Sequence, residues 1–174
     1  VYGEDIDNTQ ITENTAICLR SYYGIAKYFG ELIFEKVFYS QGGSLVILRP
    51  PLIYGPGDQG NTYGPAGFLD AVRNNRTITL WGDGDELREF IYVEDVVRIV
   101  ASLLGTDHQG VVNIAAGKSY SFQNIIRILE SFFPGVVCVA TRPRTKGKVN
   151  NGCDNRKLRE WIGGFQFTVL EDCV

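Results

Sequence analysis

A chain of 174 residues, 44% hydrophobic and 21% charged, is long enough to bury a core and too apolar to stay unfolded, which excludes a disulfide-stapled mini-protein and a disordered tail. Seventeen Lys and Arg against twenty Asp and Glu give a net charge of −3, which predicts neither a nucleic-acid footprint nor a polybasic membrane patch. No apolar run reaches the roughly 18 residues of a membrane span and the first eight residues are not a signal peptide, so a cytoplasmic protein is expected.

In chain order, a polar, acidic opening over 3–13 gives way to Ile25, Phe29, Leu32, Ile33 and Val37, whose three- and four-residue spacing predicts an amphipathic helix over 21–39. Gly42-Gly43 stops it. A continuously apolar run over 44–48 predicts a strand covered on both faces, and a helix followed by such a strand is the rhythm of an α/β protein. The Gly-, Pro-, Asn- and Asp-rich stretch over 53–65 reads as a long loop of the kind that meets a ligand. Beyond it come a helix over 68–75, a strand over 77–81, a tight turn at Gly82-Asp83-Gly84 and a strand over 87–93. A helix over 94–104 starts with acids, a strand follows over 111–115, and Ser121 is placed to cap a helix over 122–133 that Pro134-Gly135 ends. A strand over 136–140, a basic, solvated loop over 142–148, a helix over 156–162 and a closing helical turn near Leu170 complete the prediction.

Cys18, Cys138, Cys153 and Cys173 form no C-x-x-C pair and His108 is the single histidine, so no metal site is expected and the thiols read as reduced and mostly buried. Asp83-Gly84-Asp85 reads as a turn, because Leu87 stands where a third oxygen ligand for calcium belongs. Glu94 and Asp95 read as helix-start acids, Asn113 as a buried side chain bonded to backbone, and His108 as part of a polar turn. Tyr23 and Lys27 fall one helical turn apart on one face. An ammonium beside a phenol favours phenolate, which suits the pair to general acid/base work; the alternative is an ordinary exposed helix face. Arg88 and Arg142 carry the planar fork that matches phosphate oxygens, although either alone also reads as a surface charge.

These residues occur within a longer series. Val1-Tyr2-Gly3-Glu4, Tyr23-x-x-x-Lys27, Arg49-Pro50-Pro51-Leu52-Ile53-Tyr54-Gly55-Pro56-Gly57, Trp81-Gly82-Asp83-Gly84 and Arg88-Glu89-Phe90-Ile91-Tyr92-Val93-Glu94-Asp95-Val96 follow one another in order, and the series resembles the NAD-dependent epimerase/dehydratase family of extended short-chain dehydrogenases/reductases. The resemblance implies an α/β fold, the C-terminal part of a Rossmann-type parallel sheet plus a small substrate-binding lobe. Residues 1–55 would complete the NAD(P)-binding domain and 56–174 would mainly form the lobe, with some segments returning to the sheet. It implies NAD or NADP as cofactor, a nucleotide-sugar as substrate, and a homodimer joined through the first helix. Tyr23 falls on the family's catalytic tyrosine, and Lys27 on the lysine that tunes it and holds the nicotinamide ribose. Pro50 and Pro51 fall on the nicotinamide side of the cofactor site. Arg88 and Arg142 fall on two arginines that hold the substrate pyrophosphate, and Trp81 on a position near the nucleotide base.

The series also departs from that family. No G-x-x-G-x-x-G occurs, and the family's catalytic Ser or Thr precedes the Val-Tyr-Gly segment. With no methionine and Val1 first, upstream sequence is implied, and the 174 residues are expected to be inactive alone. Leu52 and Thr145 stand where relatives often carry Asn and Asp. Two other readings stay open: a reductase of a non-nucleotide ketone using the same Tyr-Lys pair, and a non-catalytic remnant that binds nucleotide-sugars.

Overall fold

The computed structural model describes residues 1–3, 6–58 and 63–173. Its first framework is a parallel pair, β2 (Val46–Arg49) beside β6 (Gly110–Asn113), in register from Val46↔Gly110 to Arg49↔Asn113. Two helices, α3 (Val93–Leu103) and α5 (Arg156–Trp161), bring Ile99, Leu103 and Leu158 into a buried cluster with Ile91, Val112 and Ile114. Val46 and Leu48, on one face of β2, pack against that cluster, while Ile47 on the other face is half-buried, so the expected cover of both faces is met on one. Asp95 is more than a helix-start acid: it is 1% exposed and accepts from the Thr168 N–H and hydroxyl, both at 2.8 Å, tying the C-terminal segment to α3.

The helix α1 (Tyr22–Ser40) begins at Ser21, whose hydroxyl accepts from the Gly24 N–H at 3.0 Å, and ends where Gly42 takes a φ of +68°. Its expected amphipathic character is corrected by the structure. Gly24 is the only residue it buries, while Tyr22, Phe29, Phe34 and Tyr39 are each more than half exposed. Apolar side chains therefore occupy several faces, the pattern of a helix that meets neighbours on more than one side. It is fastened to β2 by a shielded ion pair. The Arg49 Nε donates to Glu31 Oε1 at 3.0 Å and Nη2 to Oε2 at 2.6 Å, and the guanidinium lies 4.9 Å from the Tyr2 ring centroid. Burial opposes the Arg49 charge, but Glu31 and Tyr2 outweigh it and hold its pKa above the ordinary value. The Tyr2 hydroxyl donates to Asn113 Oδ1 at 2.6 Å, and Asn113 Nδ2 donates to the Ile11 carbonyl at 3.1 Å, so Asn113 is the buried, backbone-bonded residue expected. Glu31→Ala leaves the Arg49 charge shielded without its partner. It is expected to lower stability by about 2 kcal/mol in urea titration; a change below about 0.5 kcal/mol would remove the anchor role.

The second framework joins β3 (Leu52–Tyr54), β5 (Leu87–Tyr92) and β7 (Ser119–Ser121), with β3 parallel and β7 antiparallel to the central β5. A parallel pair, β4 (Ile78–Trp81) with β8 (Val139–Arg142), lies alongside α2 (Pro65–Arg73) and α4 (Phe122–Phe132). Phe68, Val72, Ile78, Leu80, Phe90, Phe122, Ile125 and Leu129 form the buried core of this half. Ser121 caps α4 as expected, and Asn124 completes a capping box. A closing helical turn spans Leu170–Asp172. The remaining pair, β1 (Asn8–Ile11) with β9 (Asn151–Cys153), is parallel. Four strands, β1, β3, β7 and β9, lie where no strand is predicted, and Arg142 belongs to a strand rather than to the basic loop.

The cysteines are free, but the expectation that most are buried is corrected: Cys18 and Cys138 are exposed, and Cys153 and Cys173 are half-buried. Burial beside Glu89 pushes the Cys153 thiol up to about 12, which removes it from thiolate chemistry near neutral pH. His108 stacks flat on Trp161 at 4.5 Å between ring centroids, a packing role.

Candidate active site

The turn after β4 and the start of β5 open a cleft of about 330 Å³ whose walls include Leu52, Tyr63, Trp81 and Phe122 and whose charged lining includes Glu86, Arg88 and Arg144. The aromatic wall is built by contact. The Tyr63 ring lies 4.4 Å from Phe122 and 5.3 Å from Phe68 between centroids, and its hydroxyl accepts from the Trp81 N–H at 3.1 Å. Burial raises the Tyr63 pKa, so the hydroxyl stays neutral and fixed in the wall. Trp81 ends β4 with its side chain 40% exposed, an apolar plate open to a flat ligand.

The two arginines of the cleft come from separate segments. Arg88 on β5 donates from Nη1 to the carbonyls of Leu87 and Val149 and from Nη2 to Glu86. Arg144 donates from Nη1 to the other Glu86 oxygen at 2.5 Å and from Nη2 to Asp83 at 3.1 Å. Gly82, at a φ of +68°, leaves the space that the Arg144 side chain crosses; a Cβ there would collide with it. The turn at Asp83 is closed by its own carboxylate, which accepts from the Asp85 N–H at 3.1 Å. That bond and Arg144 hold the Asp83 carboxyl below its ordinary range.

The sequence-derived residues divide into two groups. Arg88 and Trp81 meet in the cleft, whereas Arg142 is exposed on β8 in register with Trp81 and does not line it. Arg144, two residues on, lines it instead. Tyr23 and Lys27 stand on α1, with the Lys27 ammonium 5.4 Å from the Tyr23 ring centroid and Tyr23 74% exposed. Pro50 is exposed and Pro51 half-buried, between β2 and β3. Neither pair lines the arginine cleft. Glu86 carries no expectation from sequence; Tyr63 falls in the 53–65 loop expected to meet a ligand, and Arg144 in the 142–148 stretch expected to be a solvated loop, an expectation its place in the cleft corrects. Glu86 immediately precedes β5 and Arg88 is the second residue of that strand, so the sequence offers only their closeness as a signal. Part of the loop expected to meet a ligand, 59–62, lies outside the described residues, and Tyr63 beyond it does line the cleft.

The NAD dependent epimerase/dehydratase family profile matches residues 1–115, and the chain belongs to that family. It is 30% identical over 178 residues to the uncharacterized UDP-glucose epimerase YtcB of Bacillus subtilis (strain 168), covering 99% of this chain and 54% of that protein. It is 30% identical over 113 residues to a dTDP-4-dehydro-6-deoxy-D-allose reductase of Streptomyces bikiniensis, covering 62% of this chain and 34% of that one. The solved structure of UDP-glucose 4-epimerase with UDP-glucose from Thermotoga maritima aligns with a TM-score of 0.86 at 27% identity, covering 99% of this chain and 57% of that chain. The parallel α/β architecture is thus that of Rossmann-type epimerases. The chain spans about half the length of the curated relatives it matches. No described helix is long and apolar enough to cross a membrane.

Proposed function

We propose that the chain supplies the substrate-binding half and the acid/base pair of an NAD(P)-dependent nucleotide-sugar epimerase or dehydratase. The observation that carries this reading is the convergence of Arg88 and Arg144 on one point inside a cleft walled by Trp81, Tyr63 and Phe122. Two guanidinium forks neutralise a diphosphate, and the aromatic wall offers the adjoining base a stacking surface. Relatives named for UDP- and dTDP-sugars support the same class. A ketone reductase without a nucleotide has no use for two converging arginines.

For the cofactor, the donor set here fits one end of a dinucleotide. An exposed phenol and ammonium one turn apart can hydrogen-bond ribose hydroxyls, and Pro50-Pro51 follows the carboxyl end of parallel strand β2, where ligands of such sheets gather. The sequence holds no glycine-rich turn to receive the pyrophosphate. Tyr23, Lys27 and the Pro50-Pro51 backbone would face the nicotinamide end, and a bound NAD(P) would supply the hydride exchange. Tyr23 would pass a proton to or from a sugar hydroxyl, and Lys27 would hold the phenol ready for it. Residues 1–55 would thus serve the cofactor and 56–174 mainly the sugar nucleotide. The 174 residues would bind nucleotide-sugar without turning it over, in a cytoplasmic enzyme. The apolar surface of α1 supports the homodimer in which that helix joins its copy.

Calorimetric titration with UDP, dTDP and GDP tests the binding reading. Arg88→Ala is expected to weaken the tightest of the three by about 10- to 100-fold, the loss of a charged hydrogen-bonding partner. Equal affinity in the variant, or no affinity in either protein, would overturn it.

A further inference from the structure

The arginine pair of the cleft already has an anion. Glu86 is 12% exposed, and its two oxygens are divided between the guanidinium groups: Oε1 accepts from Arg88 Nη2 and Oε2 from Arg144 Nη1 at 2.5 Å. Glu86 lines the same cleft as the two arginines, and its carboxylate lies between their guanidinium groups. Arg88 and Arg144 are also held without it, by the Leu87 and Val149 carbonyls and by Asp83. The carboxylate is therefore not required to keep both forks at the cleft.

We propose that Glu86 is a built-in competitor for the anion site: its carboxylate occupies the point between Arg88 and Arg144 that a diphosphate would take, and it must turn out before the diphosphate binds. This rests on the reading of the cleft as a nucleoside-diphosphate site. Two guanidinium charges and the Lys146 ammonium against one carboxylate leave two net positive charges on the lining, where three would stand without Glu86. An incoming diphosphate meets both a reduced attraction and a like charge at its own position. Glu86 thus lowers affinity for anionic ligands and leaves a neutral nucleoside stacked on Trp81 unaffected. A substitution that removes the charge while keeping the shape should strengthen diphosphate binding, the opposite of what loss of a site residue does.

The test is calorimetry at low salt on the wild-type protein and Glu86→Gln, with UDP, dTDP and GDP, the matching free nucleosides, and inorganic pyrophosphate. The expected result is about tenfold tighter binding of the best nucleoside diphosphate and of pyrophosphate in Glu86→Gln, the scale of two partly shielded ion pairs, with nucleoside affinity within twofold. Far-UV circular dichroism and melting temperature confirm that the variant folds. In an Arg144→Ala background, Glu86→Gln should gain only about threefold, because one of its two partners is gone. If a nucleoside diphosphate binds the wild type and Glu86→Gln binds it equally or more weakly, the competitor role is overturned and the nucleotide cleft stands. If no nucleotide binds either protein but pyrophosphate tightens in Glu86→Gln, the competitor role stands and the nucleotide reading falls. Absence of binding by all probes in both proteins overturns both.

Discussion

Tyr23→Phe, placed in a complete NAD(P)-loaded enzyme carrying this chain, is expected to lower turnover by at least about a hundredfold while nucleotide-sugar affinity changes by less than about threefold. The split follows from position. Tyr23 stands on α1 with 74% of its surface exposed and is absent from the cleft that holds Arg88, Arg144 and Trp81. Loss of its hydroxyl therefore removes no diphosphate contact and little packing, and the fold should keep its stability within about 0.5 kcal/mol. On the proposed role of Tyr23, what is lost is the proton carrier, beside which the Lys27 ammonium lies 5.4 Å from the ring centroid. A step that needs a proton moved to or from the sugar hydroxyl then proceeds through water alone, and the loss falls on kcat rather than on KM. Tyr22→Phe is the internal control: the neighbouring ring is 94% exposed and should leave both constants unchanged. Steady-state kinetics of the two variants decide the matter, and unchanged turnover in Tyr23→Phe would withdraw its catalytic role.

How much of this was visible in the chain depends on the length over which each pattern ran. The helices α1, α3 and α4 and the strands β2, β4, β5 and β6 stand within a few residues of where periodicity places them, because each carries several apolar residues at one spacing. The missed strands are three or four residues long. Neither Asn8–Ile11, Ser119–Ser121 nor Asn151–Cys153 has an apolar face to announce it, and each exists through a partner distant in sequence. For α1 the spacing was real but incomplete as a signal. Residues outside the counted positions, Tyr22, Phe34, Phe38 and Tyr39, are apolar or aromatic as well, and several faces emerge exposed. At the site, Arg88 and Trp81 were legible from local motifs. Arg144 was not, because a basic stretch reads as solvated unless the acid that receives it is known, and Glu86 precedes Arg144 by 58 positions.

The largest stability effect is expected at Glu89, the neighbour of Arg88 that points the opposite way along β5. It is 1% exposed, and its oxygens accept from the Gly117 N–H at 2.5 Å and the Cys153 N–H at 2.6 Å, with the Lys118 N–H a further donor. One carboxylate thus ties β5 to the approach to β7 and to β9, strands that have too little apolar surface to hold themselves in place. Glu89→Ala strands these buried N–H groups and is expected to cost about 3–4 kcal/mol, read by urea titration. Because the same strand carries Arg88, nucleotide affinity should weaken with it. The pH dependence has a definite sign. Burial raises the Glu89 carboxyl above its ordinary 4.5, although the three N–H donors oppose the shift. Between the unfolded and folded values the native state binds more protons, so this group's contribution is fully present below about 4.5 and is lost as pH rises through the folded value. Glu89→Gln does not titrate, and one of its amide hydrogens opposes a backbone N–H. Its deficit against wild type should be largest in acid and should shrink as the pH is raised toward neutrality. The comparison between the two proteins cancels Asp83 and Asp154, whose lowered values act with the opposite sign. A Glu89→Gln deficit that grows with pH would show that the N–H donors, rather than burial, govern this carboxyl.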